Sequence, residues 1–220
     1  MVLDRRLFSA MLLPCIVRST SGGQEGRNTL SASLSSNEGD CRLEVDSHQT
    51  ESDLTIVYRF FNGSSRNAYL FNQLFRGISE DGTYRTARDL VNVEIAGDEV
   101  VVSKKQVPIP RHMLVEKPMV PCATRVAMGK GLEERFSLKL PLASCTPYIP
   151  KAKGEAGAVV PMRATFELGY FTPPPEGEKL ARLVRTAEGR GYVYNPFPIA
   201  SQKLLRSASF GLLVPVRLSH

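Results

Sequence analysis

Apolar and polar residues alternate with a period of two through most of the chain after residue 41, and this alternation restricts the fold more than any other feature. In LTIVYRFF, Leu54, Ile56, Tyr58 and Phe60 fall on one face, as alternate side chains of a β-strand do. The pattern continues in NAYLFNQLF, LVNVEIAGDEVVVSKK, TRVAMGKGLEERFSLKLPL, RATFELGYF and SFGLLVPVRL. The aromatic and β-branched residues of these segments also favour strands.

About seven to nine short strands separated by turns predict an all-β fold, an antiparallel β-sandwich, over residues 41–220 as a single domain. Parallel α/β folds are disfavoured, because the pattern does not supply the helices that join parallel strands. The segment 178–188 is an exception. Its apolar residues have helical spacing and predict a short helix that ends at Gly189, although ARLVRTA also fits a strand.

Glycine-bearing turns connect the predicted strands. The sequence AGDE, residues 96–99, predicts a tight hairpin, and Gly129 with Gly131 predicts a second one. Asn62-Gly63-Ser64 predicts either a hairpin or a passage from one sheet to the other. The same three residues satisfy the glycosylation sequon, but a turn explains the asparagine and the glycine without a glycan.

Residues 1–40 do not continue the alternation and are predicted to form a flexible extension, since 19–40 are rich in Ser, Gly, Asn and Glu. Arg5 and Arg6 precede an apolar run at 7–17 in the order of a secretory signal. The early Asp4 argues against such a signal, so export and a cytoplasmic location are both left open. No run reaches the roughly 18 apolar residues of a membrane-spanning helix, and no transmembrane segment is predicted.

The motifs of catalysis and of cofactor binding are missing from the sequence. The three histidines are isolated and the four cysteines lack metal-ligand spacing, so reduced, structurally inert thiols and no metal are predicted. A disulfide between Cys122 and Cys145 is the alternative, and it would require the segment before Cys145 to curl back. Gly-Lys-Gly lacks the spacing of a phosphate-binding loop, and no G-x-S-x-G elbow occurs. Glu133 and Glu134 are adjacent and face opposite sides of a strand. We therefore predict no catalytic residue and no cofactor, and a protein that is not an enzyme.

The charge of the chain does not point to nucleic acid. A net charge of +6 and a pI near 9.2 permit contact with an anionic partner. However, charges of both signs alternate along most segments, and LEERFSLKL is typical of a solvated strand face. Nucleic-acid binding is disfavoured because no basic patch with interleaved aromatic residues is visible.

The segment 107–121 contains four prolines, and this density predicts extended backbone that does not pair with a strand. A stiff loop loses little entropy on binding, so we predict a partner-binding loop with four contact residues, Pro108, Pro110, Arg111 and Met113. The alternative interpretation is a crossover between two sheets, in which the prolines prevent edge pairing.

The order of LTIVYRFFNGSSRNAYLF, EVVVSKKQVPIP and ATRVAMGKGLEERFSLKLPL resembles the common bacterial immunoglobulin-like sandwich. The resemblance covers residues 54–142 and implies an immunoglobulin-like fold, as in uncharacterised bacterial proteins of this build. A narrower similarity is to the intracellular proteinase inhibitor type of sandwich. The inhibitory residues of that family do not match positions here, so the resemblance transfers no inhibitory role.

Three functions are compatible with these observations. The first is a non-enzymatic module that binds a protein partner through loops or an exposed sheet edge, with an oligomeric state that is left open. The second is a proteinase-inhibitor-like module that uses residues 107–121. The third is an enzyme with a composite site on the loops. A pocket that combines a histidine with a carboxylate favours the enzyme, and an exposed apolar patch favours the binding module.

Overall fold

The structure is a computed structural model and describes residues 30–38, 40–116, 119–149, 159–194 and 197–217. These residues form sixteen strands, one short helix and one 3₁₀ turn at Ile199–Ser201. In chain order the elements are β1 (Leu30–Glu38), β2 (Cys41–Gln49), β3 (Asp53–Asn62), β4 (Ala68–Gln73), β5 (Phe75–Ile78), β6 (Tyr84–Thr86), β7 (Asn92–Ala96), β8 (Glu99–Lys104), β9 (Cys122–Val126), β10 (Gly131–Lys139), β11 (Leu142–Ala143), β12 (Val159–Phe171), α1 (Pro175–Glu178), β13 (Arg182–Thr186), β14 (Gly189–Val193), β15 (Lys203–Arg206) and β16 (Phe210–Arg217). The predicted all-β class is confirmed.

The strands form two sheets. The first is antiparallel and has four strands in the order β1-β2-β3-β10. The second has twelve strands, and β12 is its central member. Along one edge β12 pairs with β16 and then β15, and along the other it pairs with β8 and then β4. Beyond β4 the second sheet continues through β9, β14, β13, β6 and β5.

The two sheets pack face to face around one apolar core, as in a β-sandwich. Leu54, Ile56, Tyr58 and Phe60 of β3 are all buried in this core, as the alternation of the sequence predicts. Across the interface, the Tyr58 ring lies 5.0 Å from that of Phe166 in β12, measured between centroids. The opposite faces of β4 and β12 are buried in a second, aromatic cluster with Tyr194 and Phe197.

The predicted number of strands is too low, and the second sheet is mixed rather than antiparallel throughout. The described residues contain sixteen strands rather than seven to nine, and β8–β12, β11–β16 and β13–β6 are parallel pairs. Alternation reports which face a side chain occupies, but not the direction of the neighbouring strand. Several strands are only two to four residues long, such as β5, β6, β11 and β15, which is too short to show a period.

The helix predicted at 178–188 is also wrong. The only helix in the described part of the chain is α1, which ends at Glu178, and residues 182–186 pair as β13 with β14. Leu180 and Leu183 are exposed, so a helix here would have no apolar surface to bury, whereas the backbone of a hairpin gains a pairing partner. Gly189 does not end a helix; it begins β14 with a φ of 122°.

Strand β1 lies inside the segment that the sequence predicts to be a flexible extension. It pairs with β2 from Leu30 opposite Gln49 to Glu38 opposite Cys41, so the prediction that folded structure starts near Cys41 is corrected, because residues 30–38 are also part of the sheet. Leu30, Ala32 and Leu34 do alternate with serines, but the serine-rich composition hides this period. The signal-like segment lies outside the described residues.

Asn62 stands at a corner where the chain twice passes from one sheet to the other. Strands β3 and β10 belong to the first sheet and β4 and β9 to the second. The link from β3 to β4 is therefore the predicted passage between sheets. The link from β9 to β10 is also a passage, so the hairpin predicted at Gly129 and Gly131 is wrong. Asn62 connects the two links, because its main chain bonds to Gly129 and Lys130. The hairpin predicted at residues 96–99 is confirmed between β7 and β8.

Candidate functional site

An apolar cleft of about 420 Å³ opens where β4 and β8 end and β7 begins. Several parts of the chain supply its walls. Leu74 and Phe75 follow β4, Leu90 and Val91 precede β7, and Met119 comes from the proline-rich loop. Side chains of these strand ends and of the adjoining loops therefore enclose the space.

The polar groups of the cleft are few, and its two charged residues are both positive. Arg76 and Lys105 line it, and Lys105 Nζ lies 2.6 Å from the buried carboxylate of Glu167. Burial raises the pKa of the Glu167 carboxyl, but hydrogen bonds from Lys105 and Arg206 outweigh burial and hold this pKa below its usual value. Lys105 is therefore fixed by an ion pair, while the Arg76 side chain is exposed.

The described cysteines are free thiols, as predicted, and they differ in access. Cys145 lines the cleft and is half-buried. Cys122 is fully buried, and burial raises the pKa of its thiol to about 12. Since the thiolate is the reactive form, Cys145 is the accessible thiol of the two.

The proline-rich loop contributes to the cleft through its second half. Of the four predicted contact residues, Pro108, Arg111 and Met113 are exposed and Pro110 is half-buried. None of these four lines the cleft, whereas Met119 and Pro121 do.

The start of this loop is clamped to the body of the protein. The main chain of Gln106 donates to Gln202 Oε1 over 2.8 Å, and Gln202 Nε2 donates back to Gln106 O. The exposed part of the loop therefore begins at a residue, Gln106, whose position is fixed by two hydrogen bonds.

A group of polar side chains is buried between the sheets, and we call it the polar cluster: Tyr58, Asn72, Lys104 and Glu134. Lys104 Nζ donates to Glu134 Oε1 over 2.6 Å and to the main-chain oxygen of Arg88 over 2.8 Å. Asn72 Nδ2 donates to Glu134 Oε2 over 3.0 Å, and the Tyr58 hydroxyl donates to the same oxygen.

Burial controls the electrostatics of this cluster. The Lys104 side chain is 0% exposed and that of Glu134 is 9% exposed. Burial lowers the pKa of the Lys104 ammonium, against the opposing effect of Glu134. Burial, together with the Glu134 charge, raises the pKa of Tyr58.

The sequence contains a signal for the polar cluster, although these residues match no catalytic motif. Each of three residues occupies an inward position of a strand that is otherwise apolar: Asn72 follows Leu70, Lys104 follows Val102, and Glu134 precedes Phe136. The prediction that Glu133 and Glu134 face opposite sides is confirmed, since Glu133 pairs with Arg59 on the exposed face.

A comparison of the chain with protein-family models, with curated proteins and with solved structures finds no match. The strand pairing supports a β-sandwich, but no relative supports the narrower immunoglobulin-like or inhibitor-like resemblance. Among the described residues, no helix is long and apolar enough to cross a membrane. Within the same residues, no group of three or more potential metal ligands is found.

Proposed function

We propose that the protein is a non-enzymatic binding module and that the cleft receives an apolar group of a protein partner. The cleft carries this proposal. Its volume of about 420 Å³ lies within the range of ligand sites in proteins, and such sites combine apolar walls with a few polar groups. Met119, Leu74 and Val91 provide such walls, and Arg76 adds an exposed positive charge.

Exposed residues of the proline-rich loop favour a protein over a small molecule as the partner. Ile109, Met113 and Leu114 are exposed large apolar residues, and they belong to the same loop as Met119 of the cleft. Several exposed apolar residues in one short segment are typical of interaction surfaces. Protein interfaces also extend over an area much larger than one pocket.

Replacing Met119 with glutamate is expected to weaken binding of the partner by about tenfold or more, because a carboxylate in an apolar site loses hydration without gaining a partner. The matched control is Met128→Glu in the link between β9 and β10, where Met128 is 61% exposed. Affinity capture from the host identifies the partner, and calorimetry with the purified proteins measures its affinity for each variant.

Two results would contradict the proposal. One is that no partner is captured at low salt, and the other is equal binding by the two glutamate variants. Alkylation of Cys145 gives an independent measurement of the site, since this thiol lines the cleft. Bound partner is expected to slow the alkylation of Cys145.

A second candidate function is inhibition of a proteinase by the proline-rich loop. It is favoured by the exposed turn at Arg111 and His112, where Met113 N donates to Pro110 O over 2.9 Å, and by the clamp at Gln106. Such preorganisation reduces the entropy lost when a loop enters a groove.

If the loop inhibits a proteinase that cleaves after basic residues, Arg111→Glu is expected to abolish that inhibition, because the exposed guanidinium would be the group recognised. The measurement is residual proteinase activity across a panel of serine and cysteine proteinases. Met128→Glu serves again as the control. Absence of inhibition by the unmodified protein would contradict this candidate function.

A further inference from the structure

The polar cluster places a primary amine and a carboxamide on one carboxylate inside the sandwich. Lys104 Nζ lies 2.6 Å from Glu134 Oε1, and Asn72 Nδ2 lies 3.0 Å from Glu134 Oε2. Since the two oxygens belong to one carboxylate, the amine and the carboxamide contact the same group. Lys104 and Asn72 come from the second sheet and Glu134 from the first, so packing of the two sheets assembles the group.

The surroundings of this group favour acyl transfer between its members. A lysine amine is a nucleophile only when neutral, and burial of Lys104 shifts its pKa in that direction. Phe136 covers the amine, with its ring centroid 4.9 Å from Nζ. In the described part of the chain, the buried Oδ1 of Asn72 has no hydrogen-bond partner, and Glu134 contacts Nδ2, the group that would leave.

We propose that Lys104 and Asn72 become joined by an intramolecular amide bond, with Glu134 as the group that transfers the proton. Neutral Nζ attacks Cγ of Asn72, and the Nζ–Cγ bond forms. One proton passes from Nζ to the Glu134 carboxylate and from there to Nδ2. The Cγ–Nδ2 bond then breaks and Nδ2 leaves as ammonia, so the step needs no oxidant, reductant or other reactant.

The bond would join β4 and β8, the two strands that pair with successive parts of one edge of β12. On the same edge of β12, β8 pairs along Arg163–Leu168 and β4 pairs only at Tyr170 and Phe171. Asn72 and Lys104 therefore lie on two strands that follow one another along β12. A covalent link between them would hold β4 to β8 beside the cleft.

Mass spectrometry of the denatured full-length protein tests the proposal directly. The expected mass is that of the encoded chain less one ammonia. After trypsin, residues 67–76 and 89–105 are expected as one branched peptide, because an acylated Lys104 is not cleaved. Fragment ions must place the branch at Asn72. A full encoded mass with two separate peptides would overturn the proposal, as would an ammonia loss confined to Asn62-Gly63, where a succinimide forms with the same mass change.

Matched variants test the roles of the amine and the carboxylate. Lys104→Met and Glu134→Gln are expected to show their full encoded mass. Lys203→Met and Glu133→Gln alter exposed residues and are expected to show a mass lower by one ammonia, as the unmodified chain does. A branched peptide in Glu134→Gln would contradict the role of Glu134. The mass of the unmodified chain decides whether the bond exists even where a variant does not fold.

Discussion

Replacing Glu134 with alanine is expected to lower the free energy of unfolding by about 3–5 kcal/mol, the usual cost of breaking a buried ion pair from one side. The change removes the acceptor of Lys104 Nζ, Asn72 Nδ2 and the Tyr58 hydroxyl together. Lys104 is fully buried and has no water to replace the carboxylate. Denaturant unfolding, followed by fluorescence or circular dichroism, measures the loss.

The neighbouring residue provides the control for this prediction. Glu133 pairs with Arg59 at 2.6 Å, but both side chains are largely exposed, so Glu133→Ala is expected to cost less than about 1 kcal/mol. Equal losses for the two alanine variants would show that burial of the cluster does not decide its energy. The ion pair exists only in chains without the proposed amide bond, because an amide nitrogen at Lys104 carries no charge. Glu134→Ala would also prevent that bond, so the mass of the unmodified protein shows which of the two interactions the variant removes.

The sequence predicts the faces of this fold much better than its connections. Burial of Ile56 and Tyr58 follows from alternation alone, because an apolar side chain on one strand face requires an opposing surface. The partner of each strand depends instead on contacts distant in sequence, such as Val102 opposite Phe166. The two links at Asn62 have the composition of hairpins, and only the packing of the sheets makes them crossovers.

The candidate site could be predicted only in part, for the same reason. The proline-rich loop was recognisable from composition, but its cleft residue Met119 meets Cys145 and Leu74 through the fold. Lys104 and Asn72 each break an apolar register, which marks them as unusual residues. Both residues bind the carboxylate of Glu134. No period or motif in the sequence predicts this contact, because it depends on how the two sheets pack.

Asn62→Asp is expected to lower the free energy of unfolding by about 3–5 kcal/mol at neutral pH, although it changes only one amide to a carboxylate. Asn62 is 0% exposed, and its Nδ2 donates to the main-chain oxygens of Arg66 and Val126 at 2.8 and 2.9 Å. The introduced carboxylate has no donor for these oxygens and places a buried negative charge against them.

The acid dependence of the Asn62→Asp variant gives a further measurement. Burial raises the pKa of a carboxyl group, so the introduced carboxylate binds its proton more tightly in the folded variant than in the unfolded chain. The stability deficit of the variant is therefore expected to shrink as the pH falls and to grow as the pH rises through the unfolded pKa. Unfolding curves between acid and neutral pH, compared with those of the unmodified protein, measure this change.

Ser64→Ala is the control that separates the buried amide from the glycosylation sequon. It removes the bond from Ser64 Oγ to Asn62 Oδ1, 2.6 Å long, and destroys the sequon, but it keeps both donor bonds of Asn62. Its expected cost is about 1 kcal/mol. A loss equal to that of Asn62→Asp would contradict the structural role assigned to the Asn62 amide.

Because the Asn62 amide is buried and donates to two main-chain oxygens, we expect no glycan on Asn62. The mass of the protein secreted from a glycosylating host checks this directly.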